Sequence, residues 1–181
     1  MRIIAGKAGG IKLKSIKTKK VRPTLDRVKE ALFSMLLPYM PREKGLDLFA
    51  GFGTLGLEAV SRGVNSMTFV EKNRRHVKII EENIDKCKFN EMAEVVQDDV
   101  FKFLKSTEKR YDLVFLDPPY NKNLVNKTLN SLLDNCLLHK GSLIIVEHHK
   151  GEIIEDIEQL IVIKDRNYND TVIKVYLYEE E

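Results

Sequence analysis

From residue 45 onward, short apolar runs alternate with stretches whose apolar residues recur every three or four positions. Residues 46–49, 67–70, 94–96, 113–116 and 143–147 read as strands, near-continuously apolar as strands covered on both faces are. Between them, residues 74–88 set Val77, Ile80, Ile84 and Cys87 on one helical face, and residues 124–135 do the same with Val125, Leu129, Leu132 and Leu133. This alternation predicts a mostly parallel sheet with helices on both faces. The tail differs. Residues 160–164 and 172–178 flank the turn-rich Asn167-Tyr168-Asn169-Asp170, which predicts an antiparallel hairpin at the sheet edge. At the other end, residues 2–5 and 11–14 around a glycine-containing loop predict a small β-hairpin. Arg22-Pro23-Thr24 then opens a helix, with Pro at a start position, Thr24 able to cap and Asp26 in the first turn. Its stripe is Val28, Ala31, Leu32, Met35 and Leu36, and Pro38 and Pro41 end it. The chain therefore divides into an N-terminal hairpin and helix, residues 1–41, and an α/β domain, residues 42–181.

With 181 residues and 43% hydrophobic content, the chain has the means to bury a sizeable core, which excludes disorder for most of it. Ten Gly, five Pro and two Cys exclude collagen-like and disulfide-scaffold classes, and no apolar run reaches the roughly 20 residues that span a bilayer. The start lacks the apolar stretch of a signal peptide, and the isolated Cys87 and Cys136 suit a reducing cytoplasm. The net charge of +3 conceals an asymmetry: the first 25 residues hold eight basic groups and no acid, leaving 22 basic against 27 acidic groups in the rest. Such an arm is either a nucleic-acid contact or a solvated terminus.

The first strand runs into Asp47-Leu48-Phe49-Ala50-Gly51-Phe52-Gly53-Thr54-Leu55-Gly56, which satisfies G-x-G-x-x-G, and Glu71 ends the second strand 20 residues after Gly51. Glycines permit the tight strand-to-helix turn, and a carboxylate at the next strand end can accept from ribose hydroxyls. The motif alone fits NAD, FAD and S-adenosylmethionine equally. Asp47 separates them, because an acid inside the first strand can receive the amino group of a methionine moiety; the bland alternative is that it caps the neighbouring loop. Asp98-Asp99 after the third strand is either an acceptor for an adenine amine or a helix N-cap.

Asp117-Pro118-Pro119-Tyr120 follows the fourth strand directly. Two prolines fix φ and remove two backbone donors, leaving carbonyls as acceptors in a stiff loop. An exocyclic amine needs two acceptors; Asp117 supplies one through its carboxylate and Pro118 one through its carbonyl, and Tyr120 offers a face for an extruded base. An amine held so can aim its lone pair at a methyl sulfonium, with alignment and electrostatics as the main catalytic means. Strand C-termini in open α/β sheets are where ligands bind.

This combination resembles the Rossmann-like class I S-adenosylmethionine-dependent methyltransferases that act on base amino groups. More narrowly, it resembles the bacterial small-subunit rRNA guanine-N2 methyltransferase family (RsmD) over nearly the whole chain. The resemblance rests on Met1 to Gly6, the Arg22-Pro23-Thr24 helix start, Leu46 to Gly51, Leu55 to Ala59, Phe69-Val70-Glu71, Leu116 to Tyr120 and Glu147-His148. It implies cofactor contacts from Asp47, Phe49, Ala50, Gly51, Gly53, Thr54, Glu71, Asp99 and Val100, and handling of the amine by Asp117, Pro118, Pro119 and Tyr120. The implied substrate is one guanine in 16S rRNA, within the small subunit or an assembly intermediate, acted on by a cytoplasmic monomer. Arg2, Lys7, Lys12, Lys14, Arg22 and Arg27 would contact the RNA, and no metal is implied. Phe52 departs from the small residue usual in the glycine loop, Leu25 stands where Thr is common, and Asn169 stands where Gly is usual.

The loop chemistry also serves an adenine-N6 methyltransferase on DNA or RNA, although 181 residues leave little room for a DNA target-recognition domain. A non-catalytic RNA-binding assembly factor is a different class, opposed by the intact amine loop; a nicotinamide oxidoreductase is opposed by Asp47 and the prolines. His148-His149 lacks the partners of a metal site, and His76 and His139 read as surface positions.

Overall fold

The computed structural model describes residues 1–16, 24–119 and 123–180. Strands β1 (Lys44–Leu48), β2 (Ser66–Val70), β3 (Ala93–Val96), β4 (Tyr111–Leu116), β5 (Leu138–His149), β6 (Leu160–Tyr168) and β7 (Thr171–Tyr178) form one sheet in the order β3-β2-β1-β4-β5-β7-β6. The first five are parallel; β7 runs antiparallel beside β5, and β6 antiparallel beside β7. Helices α1 (Thr24–Leu36), α2 (Thr54–Ser61), α3 (Arg74–Cys87), α4 (Val100–Ser106) and α5 (Leu124–Asp134) complete the order, with single 3-10 turns at Leu37–Tyr39 and Asn90–Met92. Among the described residues no helix is long and apolar enough to cross a membrane.

Two apolar clusters, one per face, explain why the strands read as unbroken hydrophobic runs. Phe69, Leu113, Phe115, Leu143 and Ile145 pack with Leu32, Leu36, Leu57, Val60, Ile80 and Ile84 of α1, α2 and α3. On the other face Leu48, Val70, Val114, Leu116, Ile144 and Val146 meet Phe103 and Leu104 of α4 and Leu129 and Leu132 of α5. Each buried Leu or Ile side chain contributes about 1.5–3 kcal/mol over leaving it in water.

The expected N-terminal hairpin is reduced to a single antiparallel bridge, Arg2↔Lys12, with Gly10 N–H donating to Ile3 O at 2.9 Å. The reason is competition: Ile4 and Ala5 give their N–H groups to the Glu58 carboxylate at 2.7 and 3.1 Å, and Lys7 gives its own to Ser61 O at 2.8 Å. The segment is thereby tied to α2, and Ile3, Ala8 and Leu13 join the core beneath α1–α3. The described residues of the N-terminal part, among them Ile3, Leu13, Leu32 and Leu36, thus share one apolar core with the α/β part. The tail hairpin turns at Asn169, at φ +57°, a left-handed conformation that Asn tolerates better than most non-glycine residues. The departure at that position therefore leaves the turn intact.

Candidate active site

β1 ends at Leu48, and the chain then reverses into α2 through Phe49 (φ +58°), Gly51 (φ +57°) and Gly53 (φ +75°). Gly56, in the first turn of α2, fulfils a different need. A Cβ there would lie 2.3 Å from Phe69 Cε1 and 3.0 Å from Asp47 Oδ2, so only glycine lets the helix come this close to the sheet.

The turn's backbone donors are taken by acids. Gly51 N–H donates to Glu71 Oε2 at 3.0 Å, Asn73 N–H to Glu71 Oε1 at 2.7 Å, and Gly56 N–H to Asp47 Oδ2 at 3.0 Å. A phosphate placed here would face carboxylates in place of open N–H groups. The loop that in dinucleotide enzymes cradles an anion is in this chain lined with negative charge, which suits a ligand without phosphate and with positive charge. Asp47 is almost wholly buried, and burial, followed by the nearby Glu71 carboxylate, pushes its pKa up to about 7 despite the Gly56 hydrogen bond.

These elements open onto a cavity of about 480 Å³ at the C-terminal ends of the strands. Its walls are Phe49, Gly51, Val70, Glu71, Lys72, Asn73, His76, Asp98, Asp99 and Val100, with Asp117, Pro118 and Pro119 closing one side. Of the residues expected to hold a cofactor, Phe49, Gly51, Glu71, Asp99 and Val100 come together there. Asp47, Ala50, Gly53 and Thr54 lie outside its lining: Asp47 beneath the glycine turn, Ala50 and Gly53 bonded to each other within it at 2.7 Å, and Thr54 on a neighbouring cavity. Asp99 caps α4, its Oδ1 accepting from Phe101 N–H at 3.0 Å, and Asp98 Oδ1 accepts from Asp99 N–H at 2.8 Å. The capping role and a place on the cavity wall are thus held by one residue. Sequence reading placed His76 on the surface; instead it is half-buried on the cavity wall, its ring edge-on to Phe52 with centroids 4.9 Å apart and its Nδ1 3.8 Å from Glu71. The bulky Phe52 is accommodated by this stack.

Asp117 also lines a second, smaller cavity of about 90 Å³ with Met1, Asp26, Val28, Lys29, Leu32, Thr54, Leu55, Glu147 and Ile173. Asp117 is exposed where it borders the two cavities. Desolvation by the protein packed around its carboxylate, then the Glu147 and Asp47 carboxylates, raise its pKa above the usual carboxylate range. Lys29 gave no motif signal, and Glu147 entered only within the Glu147-His148 match, with no role attached; their convergence in space brings both to the site. Tyr120 lies outside the described residues.

The exposed basic groups Arg2, Lys7, Lys12, Lys14 and Arg27 occupy the N-terminal segment and α1. Arg2 pairs with Asp26 at 3.5 Å and Lys14 Nζ with Glu82 at 2.5 Å, both on the surface. Lys17, Lys19, Lys20 and Arg22 lie outside the described residues. Buried Asn83 joins this segment to the glycine turn. Its Oδ1 accepts from Lys14 N–H at 2.7 Å, and its amide donates to Lys14 O at 3.0 Å and Phe52 O at 3.1 Å.

Comparison with known proteins covers the whole of this architecture. The model of a family described as Conserved hypothetical protein 95 matches residues 1–177. Ribosomal RNA small subunit methyltransferase D of Haemophilus influenzae is 36% identical over 179 residues, 97% of this chain and 93% of that protein. Among solved structures, yhhF of Escherichia coli, described as a methyltransferase, superposes with a TM-score of 0.89 at 32% identity, covering 100% of this chain and 99% of its own. The N-methyltransferase NodS of Bradyrhizobium japonicum, solved with S-adenosyl-L-homocysteine, has a TM-score of 0.70 at 12% identity over 89% of this chain and 90% of its own, a likeness of fold.

Proposed function

We propose, because this chain belongs to the ribosomal RNA small subunit methyltransferase D family, that it methylates 16S rRNA with S-adenosylmethionine and that its target atom is the exocyclic N2 of a guanine. The observation that carries the reading is the position of Asp117, which borders both the carboxylate-lined cofactor cavity and the smaller cavity beside it. An amine bound at Asp117 sits between a cationic donor and a pocket for the rest of its base.

When bound, S-adenosylmethionine supplies an electrophilic methyl group on a sulfonium. The chain's residues fit it. Glu71 already accepts two backbone N–H groups and retains lone pairs for ribose hydroxyls, since an ionised carboxylate offers about four acceptor sites. Asp98 and Asp99 stand on the wall where an adenine amine would find acceptors. Glu71, with the ionised fraction of Asp47, supplies negative charge on the cofactor side, while Asp117 faces the target amine.

At the target, Asp117 and the Pro118 carbonyl accept the two N2 hydrogens, and Tyr120 offers a stacking face. With that methyl group presented to it, the N2 lone pair held by these residues would form the N–C bond, and the sulfur would keep the electron pair of the broken C–S bond. The surplus proton on nitrogen passes to Asp117 or to water, so the reaction has no need of a dedicated base. Extruding the guanine from its stack costs a few kcal/mol, which contacts elsewhere on the RNA must supply. The basic N-terminal segment is suited to that work, and a cytoplasmic monomer suits the substrate.

The deciding experiment is radiolabelled methyl transfer to small subunits that lack the modification, followed by nucleoside identification. N2-methylguanosine is the expected product; N6-methyladenosine would favour an adenine enzyme, and absence of label would leave only a binding role. The arm is tested separately. Replacing Lys12, Lys14, Lys17 and Lys19 by Ala should weaken RNA binding and reduce the salt slope, log K against log salt, by about 3, since each neutralised phosphate contributes roughly 0.7–0.9. An unchanged slope would remove the arm from the interface.

A further inference from the structure

The second cavity lies one residue beyond the last paired position of β4 and β5, Leu116↔Val146. Continuing that register sets Asp117 beside Glu147 on neighbouring strands, which in sheets lie about 4.7–4.9 Å apart. Phe115 and Ile145, two residues earlier on each strand, both pack in the cluster beneath α1–α3. With a side-chain period of two, Asp117 and Glu147 therefore leave the sheet on that same side. Both line the smaller cavity, whose remaining wall includes the apolar Leu32, Leu55 and Ile173 together with Asp26 and Lys29, which are paired to Arg2 and Glu58. Apolar walls with a few convergent polar groups are what a flat heterocycle needs, its faces covered and its edge hydrogen-bonded.

The edge in question can be read from the acceptors. Two adjacent carboxylates, while ionised, accept and do not donate, and donors bound between them favour the ionised state that their mutual repulsion opposes. Guanine presents two adjacent donors on its Watson–Crick edge, N1–H and the N2 amine. Adenine presents an amine beside a bare N1 lone pair, which would face a carboxylate. Flipped bases are read on that edge.

Resting on the guanine-N2 reading above, we propose that Glu147 is the specificity-determining residue of the target pocket, its carboxylate accepting the guanine N1–H while Asp117 holds the N2 amine. The closeness of the two carboxylates is consistent with this, since Glu147 acts on the charge of Asp117. A carboxylate there favours N1–H and repels an N1 lone pair, so one side chain both selects guanine and rejects bases that carry an amine next to an acceptor.

The test uses 2-aminopurine, which keeps the exocyclic amine of guanine but has a lone pair at N1. Small subunits are assembled around 16S rRNA bearing either base at the modified position, and methyl transfer is measured with the intact chain and with Glu147→Gln. The intact chain should prefer guanine by roughly 100-fold or more, because an analogue that leaves buried polar groups unmatched is strongly rejected. Glu147→Gln should lose about 10- to 100-fold in kcat/KM on guanine, the loss of one charge-assisted hydrogen bond. Its rate on 2-aminopurine should hold or rise, because a glutamine amide can donate to N1. The guanine preference then collapses. Thermal unfolding of Glu147→Gln no lower than that of the intact chain, with unchanged cofactor binding, separates this from misfolding. An equal loss on both bases, or no loss on either, would overturn the assignment of Glu147. If the intact chain transfers no methyl to guanine, the guanine reading itself falls, and with it this inference.

Discussion

Asp117→Ala should abolish methyl transfer, lowering kcat by about 10²–10³-fold or more, while S-adenosylmethionine binding survives. The magnitude follows from what the carboxylate does: it fixes one hydrogen of the target amine and stabilises the positive charge that develops on nitrogen. Removing one preorganised electrostatic partner of a transition state typically costs 10²–10³ in rate, and a 1 Å misplacement of the reacting atom can cost a further 10². Cofactor binding is expected to survive because Glu71, Asp98 and Asp99 are independent of Asp117. The same variant should be at least as stable as the parent. Asp117 is held beside Glu147 and Asp47, and its pKa stands above the ordinary carboxylate value. An acid with a raised folded pKa binds its proton more tightly when folded, so it lowers stability as pH rises above the unfolded value. The gain from removing it should therefore show at neutral pH and vanish in acid, where the group is protonated in both states. Single-turnover transfer, cofactor titration and thermal unfolding at two pH values check the three parts. Near-normal turnover would sink the mechanism; a large loss of stability would mean that Asp117 serves the fold.

The sequence pattern announces the site's frame more fully than its contents. The apolar runs and amphipathic stripes correspond to the strands and helices observed, because burial on both faces of a parallel sheet leaves a near-continuous hydrophobic trace at 113–116 and 143–147. The Gly51-x-Gly53 turn and the Asp117-Pro118-Pro119 loop were legible because each demands particular backbone chemistry at fixed offsets from a strand end. What stayed hidden are polar residues whose role depends on another element arriving in space. Asn83 and Glu58 read as ordinary polar positions of helices, yet both are fully buried and both hold the N-terminal segment. Glu147 closes the predicted strand 143–147 and belongs to the Glu147-His148 match, but only its neighbour Asp117 gives it a role. The N-terminal hairpin illustrates the converse. Local pattern favoured two strands, but Glu58 and Ser61 took the N–H groups that a ladder would have used.

Glu58 is accordingly where the largest change in stability is expected. Its carboxylate is wholly buried and accepts from four donors: Ile4 N–H at 2.7 Å, Ala5 N–H at 3.1 Å, Arg62 Nε at 2.7 Å and Lys29 Nζ at 3.2 Å. Glu58→Ala would leave two backbone donors and a buried ammonium without it. Breaking a buried pair from one side costs about 3–5 kcal/mol, because the surviving charge stays out of water. For a chain of this size that lowers Tm by roughly 2–4 °C per kcal/mol, or about 10 °C in all. Lys29 adds a pH signature. Burial already lowers its pKa, opposed chiefly by Glu58. Without Glu58 the depression deepens, and a base with a depressed folded pKa destabilises the fold while pH lies below its unfolded value. The variant should therefore regain part of its stability as pH rises toward the ordinary lysine value. Residues 1–5 should detach first, so the Ile4 and Ala5 amides should lose their protection from hydrogen exchange before the sheet does. Since Met1 forms one wall of the smaller cavity and Arg2 belongs to the basic segment, RNA methylation should decline more steeply than cofactor binding in the fraction that remains folded. A Tm within a degree or two of the parent, or unchanged exchange at Ile4 and Ala5, would show that the segment is held by Ile3, Ala8 and Leu13 packing alone.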